Sequence, residues 1–311
     1  MLDEQILPLF SKRLREVIRG NCKSFDNLQE IRIRLNQPVI LSCNNEERIL
    51  GEQFLVSERD IRDIVETACG YSGYAFEEEI SKGYITIQGG HRIGIAGRGV
   101  MTAQGVQTIK HISALNIRIA HPVTGCAEKW RNFFYKENRP CHVLIISPPG
   151  CGKTTLLRDA VRILSDGCKE IDGVTVGVVD ERSEIAGTYR CASTHNLGIR
   201  TDVLDGCPKS LGMEMLLRSM SPKVLAVDEI GASDVGAIEN ALRCGCKVLA
   251  TLHGECIQDF FGKPGFASLV REKVCERYIF LESGQTPGNV KVIYGQIFEI
   301  LWEENAWTYK F

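Results

Sequence analysis

Residues 147–155 read Ser-Pro-Pro-Gly-Cys-Gly-Lys-Thr-Thr, directly after the apolar run HVLIIS (142–147) and directly before the helical pattern LLRDAVRIL (156–164). A strand, a glycine-bearing loop ending in Gly-Lys-Thr and a helix, in that order, confine the chain to an α/β architecture whose loop cradles phosphates. Gly150 and Gly152 let successive N–H groups turn inward, and the helix N-terminus adds partial positive charge. Lys153 is expected to reach the β and γ oxygens of ATP, and Thr154 to offer its hydroxyl to Mg2+. The expected nucleotide-binding segment is therefore Ser147, Pro148, Pro149, Gly150, Cys151, Gly152, Lys153, Thr154 and Thr155. Ser147 stands where such loops begin with glycine. The strand leaves the sheet at that point, so a small residue is sufficient.

Four more apolar runs follow: VTVGVVD (174–180), KVLAVD (223–228), KVLATL (247–252) and RYIFLE (277–282). They lack polar alternation, which suits strands of a parallel sheet covered by helices on both faces. After 282 the pattern NVKVIYGQIFEIL and then AWTYKF returns to short strands, expected as hairpins at the sheet edge. In such a sheet ligands collect at the carboxyl ends of the strands. Three strand ends carry chemistry. Asp228 and Glu229 close an apolar strand, so Asp228 is expected to orient Mg2+ through water and Glu229 to polarise the attacking water. Apolar strands ending in two acids also occur as merely solvated acids. The position after the phosphate loop, with another strand between, favours the catalytic reading and the ATPase branch that hydrolyses with a strand-borne glutamate. The intervening strand ends Asp180-Glu181-Arg182-Ser183-Glu184, making Glu181 a second candidate carboxylate, and the strand after Glu229 ends Thr251-Leu252-His253, where Thr251 or His253 is placed to sense the γ-phosphate.

The first 120 residues have another style. Residues 1–20 carry Leu7, Phe10, Leu14, Val17 and Ile18 at helical spacing, and EIRIRL (30–35) with PVILSC (38–43) form a hairpin pattern around Asn36-Gln37. Ser57 and Asp60 mark the start of a helix over 57–69, and the glycine-punctuated stretch 83–120 alternates as an antiparallel meander of three or four strands. A polar-aromatic helix is expected over 127–139. The expected organisation is an α+β domain with an antiparallel sheet over 1–122, then an α/β P-loop core over 123–311. Thirteen scattered cysteines contain no CxxC, so a zinc ribbon is not expected, and Cys244-Gly-Cys246 is expected to pack in the core. The thiols are expected to be reduced and cytosolic. The N-terminus has acids where a signal peptide needs a basic region, and 18 apolar residues never run together.

The order phosphate loop, DERSE, LLRSMSPKVLAVDEIG, ATLHG resembles the secretion-type ATPases of bacterial type II and type IV systems, with their Walker A, Asp box, Walker B and His box. GYITIQGGHRIGIAG (83–97), LNIRIA (115–120), PPGCGKTTLLRD (148–159) and VDERSEIAG (179–187) are, more closely, similar to the stage III sporulation protein AA family, over about residues 30–285. The resemblance implies a RecA-like core and a Mg2+-dependent ATPase that powers a secretion-like channel at the mother cell–forespore membranes. It further implies a homo-oligomer, most often a hexamer, that is cytoplasmic and peripherally attached to membrane proteins. Lys153, Glu229, His253 and Glu181 are then the catalytic candidates, with Thr154 and Asp228 holding the metal. Walker B strands of secretion ATPases usually end Gly-Glu; here Asp228-Glu229 stands in that place, which leaves Asp180 and Glu181 a lesser metal role. Such enzymes bring an arginine from the N-terminal part, for which Arg92, Arg98 and Arg118 are the candidates. A RecA- or AAA-type ATPase acting on nucleic acid and a non-hydrolysing scaffold are the alternatives. The net charge of -2 gives no field for nucleic acid, which is not an expected partner, and Glu229 argues for turnover.

Overall fold

The computed structural model describes residues 2–22, 25–44, 46–51, 54–70, 76–102, 105–121, 123–188, 193–262, 265–284 and 287–304. The chain divides into two compact units, 1–121 with 187–194, and 122–186 with 195–311.

In the first unit, the helix expected over 1–20 is two helices, α1 (Leu2–Ile6) and α2 (Lys12–Asn21), with a 3-10 turn at Leu7–Leu9 between them. Pro8 cannot donate to a continuing α-helix, Phe10 goes extended, and Ser11 restarts the helix by accepting from the Leu14 N–H. Ile6, Phe10, Leu14 and Ile18 still share one buried face. The strands are β1 (Leu28–Arg34), β2 (Val39–Cys43) and β3 (Glu46–Leu50), followed, after α3 (Glu58–Ala68) and α4 (Glu77–Ser81), by β4 (Tyr84–Ile87), β5 (His91–Thr102) and β6 (Gly105–Arg118). They form one antiparallel sheet in the order β3-β2-β1-β6-β5-β4. The hairpin turns through Asn36 at φ 57, and α3 starts at the Ser57–Asp60 capping box. β3 was not expected: its sequence EERIL buries only Leu50, so it carries no alternation to read. Ile31, Ile33, Ile93 and Ile117 are fully buried, and each such side chain contributes about 1.5–3 kcal/mol on leaving water.

The second unit opens with a 3-10 helix over Glu128–Phe134, then the small hairpin β7 (Tyr135–Lys136) and β8 (Arg139–Pro140). The helix expected to run to 139 stops early because Glu137 and Asn138 take φ 52 and 61, the two-residue turn that suits a hairpin. Next come β9 (Val143–Ser147), α5 (Lys153–Asp166), β10 (Val176–Asp180), β11 (Thr201–Asp205), α6 (Lys209–Ser219), β12 (Val224–Val227), α7 (Val235–Arg243) and β13 (Lys247–His253). α8 (Ile257–Gly262), α9 (Ala267–Arg271), β14 (Arg277–Leu281), β15 (Val290–Gly295) and β16 (Ile300–Glu303) complete the described elements. The sheet order is β11-β10-β12-β13-β9-β14-β15-β16, parallel from β11 to β14 and antiparallel at the β15–β16 edge.

Every expected parallel strand is present. β11 (TDVLD) is additional and half-exposed, which is why no apolar run announces it. Within β9, Val143 and Ile145 face one core layer with Leu157, Ala160 and Leu164 of α5, while Leu144 and Ile146 face the other with Met213 of α6 and Ile238 of α7. Helices thus cover both faces, as continuous apolar strands demand. The segment AWTYKF (306–311) lies outside the described residues. All cysteines among the described residues are free; Cys246 is buried as expected, whereas Cys244 is exposed. Among the described residues no helix is long and apolar enough to cross a membrane.

Candidate nucleotide site

The loop between β9 and α5 has the shape that a phosphate cradle needs. Gly150 takes φ 78, and Gly152, at the N-cap of α5, takes φ 87. A Cβ on Gly152 would meet the Gly288 nitrogen at 2.4 Å, so only glycine fits under the 287–288 segment, whose Gly288 N–H donates to the Cys151 carbonyl at 2.9 Å. Ser147 is fully buried with its hydroxyl donating to the Pro148 carbonyl, and Pro149 is exposed. The first turn of α5 leaves its N–H groups without partners inside the helix, open to an anion.

The strand order makes the rest. β13 lies between β9 and β12, so its tip enters between the phosphate loop and the acidic strand end. Lys153, itself buried, donates from Nζ to His253 Nδ1 at 3.2 Å. With Nδ1 accepting, the ring proton sits on Nε2, which donates to Glu229 Oε1 at 2.9 Å. Beside this line, the Thr154 hydroxyl donates to Asp228 Oδ2 at 2.5 Å. Of the two residues offered as phosphate sensors, only His253 reaches the loop. Thr251 is fully buried; it donates to Asp228 Oδ1 and accepts the Glu229 N–H at 2.8 Å, holding both acids in place. Glu229 needs that support because its backbone takes φ 52, a conformation costly for a non-glycine residue.

The DERSE segment uses its first two acids within the protein. Asp180 is buried, and its carboxylate accepts the N–H groups of Glu184, Ile185 and Ala186 at 2.9, 2.9 and 2.8 Å. Burial pushes its carboxyl up while those three donors pull the other way. Asp180 therefore shapes the loop. Glu181 pairs with Lys209 at 2.9 Å and lines one cleft with Asp180, Glu184, Asp228 and Glu229. Sequence reasoning missed two residues here, Arg182, which also lines the cleft, and Arg158, which holds the loop. Arg182 donates to Glu229 Oε2 at 3.0 Å, and Arg158 of α5 donates to the Ile185 and Glu184 carbonyls at 2.8 and 2.7 Å. Burial pushes the Arg158 guanidinium down. The alternating charges of DERSE were the available signal for Arg182; Arg158 had none beyond its helical register.

Arg92, Arg98 and Arg118 lie in the first unit. Arg92 stacks on Tyr84 at 3.6 Å, Arg118 pairs with Glu30 at 3.4 Å, and Arg98 is exposed beside Lys110.

The donor set suits a nucleotide and Mg2+: one lysine and a turn of free N–H groups for phosphate, and two hard oxygens, Thr154 Oγ1 and Asp228 Oδ2, for a cation that keeps most of its waters. Among the described residues no cluster of three or more His, Cys, Asp or Glu side chains is arranged to hold a metal alone.

Solved structures share the fold. The pilus retraction motor PilT with bound ADP aligns with a TM-score of 0.58 at 14% identity over 97% of this chain and 84% of that one. The ATPase DotB of Yersinia pseudotuberculosis aligns with a TM-score of 0.58 at 13% identity over 90% and 78%. The chain thus shares the RecA-like α/β fold of those structures. In sequence, the chain is 42% identical over 275 residues to stage III sporulation protein AA of Bacillus subtilis (strain 168), covering 88% of this chain and 89% of that one. Residues 2–301 match the family described as Sporulation stage III, protein AA, and on both grounds the chain belongs to that family.

Proposed function

We propose that this protein is a Mg2+-dependent ATPase that works as a homo-oligomer, a hexamer, on the cytoplasmic side of a membrane complex. Hydrolysis drives a secretion-like channel at the mother cell–forespore membranes, and the partners are that channel's membrane proteins. The observation that carries the reading is the unbroken line Lys153–His253–Glu229 beside the Thr154–Asp228 pair, at the carboxyl ends of adjacent parallel strands. A buried lysine at a glycine loop serves phosphate, and an acid one residue beyond a metal-ready carboxylate serves water.

In this reading Lys153 turns from His253 to the β and γ oxygens as ATP enters, and the loop N–H groups from Gly150 to Thr155 hold the rest of the polyphosphate. Thr154 and Asp228 hold Mg2+, which supplies charge neutralisation on the phosphates. Glu229 accepts a proton from the attacking water as its oxygen bonds to the γ-phosphorus and the bond to ADP breaks. His253, released by Lys153, keeps its Nε2–H on Glu229 and so holds that carboxylate in place.

The test is ATP hydrolysis by the purified full chain with and without Mg2+, together with Lys153→Ala and Glu229→Gln. Lys153→Ala is expected to abolish turnover and weaken ATP binding. Glu229→Gln is expected to keep near-normal binding and lose at least ~100-fold in rate, since loss of a general base typically removes 10²–10⁴. A Lys153→Ala protein with most of the wild-type rate overturns the site. Full damage from Glu181→Gln with none from Glu229→Gln moves the base to the earlier strand.

A further inference from the structure

We infer that Arg182 is a positioning residue for Glu229, fixing the direction in which that carboxylate meets water; the inference rests on the ATPase reading above. A carboxylate held by a single donor still rotates about its side-chain bonds. Glu229 has both oxygens taken, by donors from different elements: His253 from the tip of β13 at 2.9 Å and Arg182 from the loop after β10 at 3.0 Å. Its backbone, at φ 52, is fixed by the N–H bond to Thr251. Main chain and head group are therefore both determined, which is how strained backbone persists where geometry matters.

The loop that presents Arg182 is pinned at its other residues. Asp180 accepts three of its N–H groups, Glu181 is held by Lys209, and Ser183, at φ 55, donates to Asp205 at 2.8 Å. Arg158 grips the carbonyls of Glu184 and Ile185 from α5, the helix that begins with Lys153 and Thr154. Arg182 is thereby registered to the helix whose first turn is to meet the phosphates. The Arg182 side chain is 61% exposed, and ion pairs of that kind add at most about 1 kcal/mol to stability. Stability therefore does not explain a rigid loop built to deliver this guanidinium. Its charge does: the cleft brings five carboxylates together with Arg182 and Lys209, and a triphosphate beside Glu229 adds more negative charge. A cation on the outer oxygen lets the base stay near the γ-phosphate without swinging away.

The experiment measures kcat and KM for Mg-ATP in the full chain as wild type, Arg182→Ala and Arg182→Lys, each also combined with Glu229→Gln, with direct binding of a fluorescent ATP analogue. Arg182→Ala is expected to lower kcat about 10- to 100-fold, the scale of a roughly 1 Å misplacement of a reacting group. KM and analogue affinity are expected to stay within about 2-fold, the signature of an interaction spent on the transition state alone. Lysine should restore most of kcat, and in the Glu229→Gln background the Arg182 change should alter the residual rate little. An Arg182→Ala protein with wild-type or higher kcat, a loss confined to binding, or the same fold-loss in the Glu229→Gln background overturns the inference. A wild-type chain without ATPase activity overturns the proposed function and this role together. An active wild type, inert Glu229→Gln and fully active Arg182→Ala remove only the role of Arg182.

Discussion

His91, in the Gly89-Gly90-His91-Arg92 stretch, makes the protein's first unit acid-sensitive in a calculable way. The side chain is 1% exposed; Nδ1 accepts the Ala120 N–H at 2.9 Å, and Nε2 donates to the Gln5 side-chain oxygen at 3.0 Å. One imidazole thus ties α1, β5 and the chain leaving β6, and Gly89 at φ 90 is required because a Cβ there would lie 2.6 Å from that Gln5 oxygen and 2.7 Å from His91 Nε2. Protonation at Nδ1 would destroy the acceptor, and burial, with a smaller contribution from His121, holds the ring down from 6.5 to about 4. The unfolded chain takes up its proton near 6.5, whereas the folded chain refuses it until about 4. Stability is accordingly unaffected by this group above the upper value and falls as pH drops through the window. At about 1.4 kcal/mol per pH unit the loss comes to about 3 kcal/mol. Urea unfolding followed by circular dichroism at several pH values between 7.5 and 4, on wild type and His91→Gln, measures it. The variant is expected to start less stable by about 1–2 kcal/mol, from imperfect replacement of two buried hydrogen bonds, to cross wild type between about pH 6 and 5, and to be about 1–2 kcal/mol the more stable of the two at pH 4. Other acid-sensitive groups, His142 among them, act in both proteins and cancel in the difference. Parallel curves for the two proteins would refute the assignment of this acid sensitivity to His91.

The two loop glycines should separate: Gly150→Ala meets no atom within 4 Å and is expected to lower stability by about 1–2 kcal/mol for its positive φ alone, whereas Gly152→Ala, colliding with the Gly288 backbone, is expected to lose more and to bind no ATP analogue. Thermal melts and analogue titration check this, and equal losses would show that the 287–288 segment does not brace the loop. Turnover is expected to need assembly, because among residues placed by motif only Lys153 brings positive charge to the phosphates and an arginine from another source adds 10³ or more in well-studied cases. ATPase activity per subunit should therefore rise with protein concentration and be lost in the 123–311 fragment, and a fragment as active as the full chain at every concentration would refute it.

Local sequence determined the elements whose signal is periodic or compositional. The apolar runs at 142–147, 174–180, 223–228, 247–252 and 277–282 became five parallel strands because a strand buried on both faces has no polar positions to spare. The phosphate loop was legible because its glycines, lysine and threonine act through adjacent backbone. Where neighbouring residues override periodicity, the reading failed. Pro8 divided the first helix, the positive φ of Glu137 and Asn138 ended the second, and β3 and β11, exposed along most of their length, left no pattern. Tertiary structure alone decided the wiring of the site. Lys153 and His253 stand 100 positions apart and meet only because β13 inserts between β9 and β12. The same insertion puts Thr251 under Asp228 and Glu229. Which acid of the Asp180–Glu184 run stays available, and that Arg182 reaches Glu229, depended on how the loop satisfies its own N–H groups: Asp180 was taken by three of them. Hydrogen-bond satisfaction is settled between elements, so residue types along the chain name the participants while the packing of strands assigns their partners.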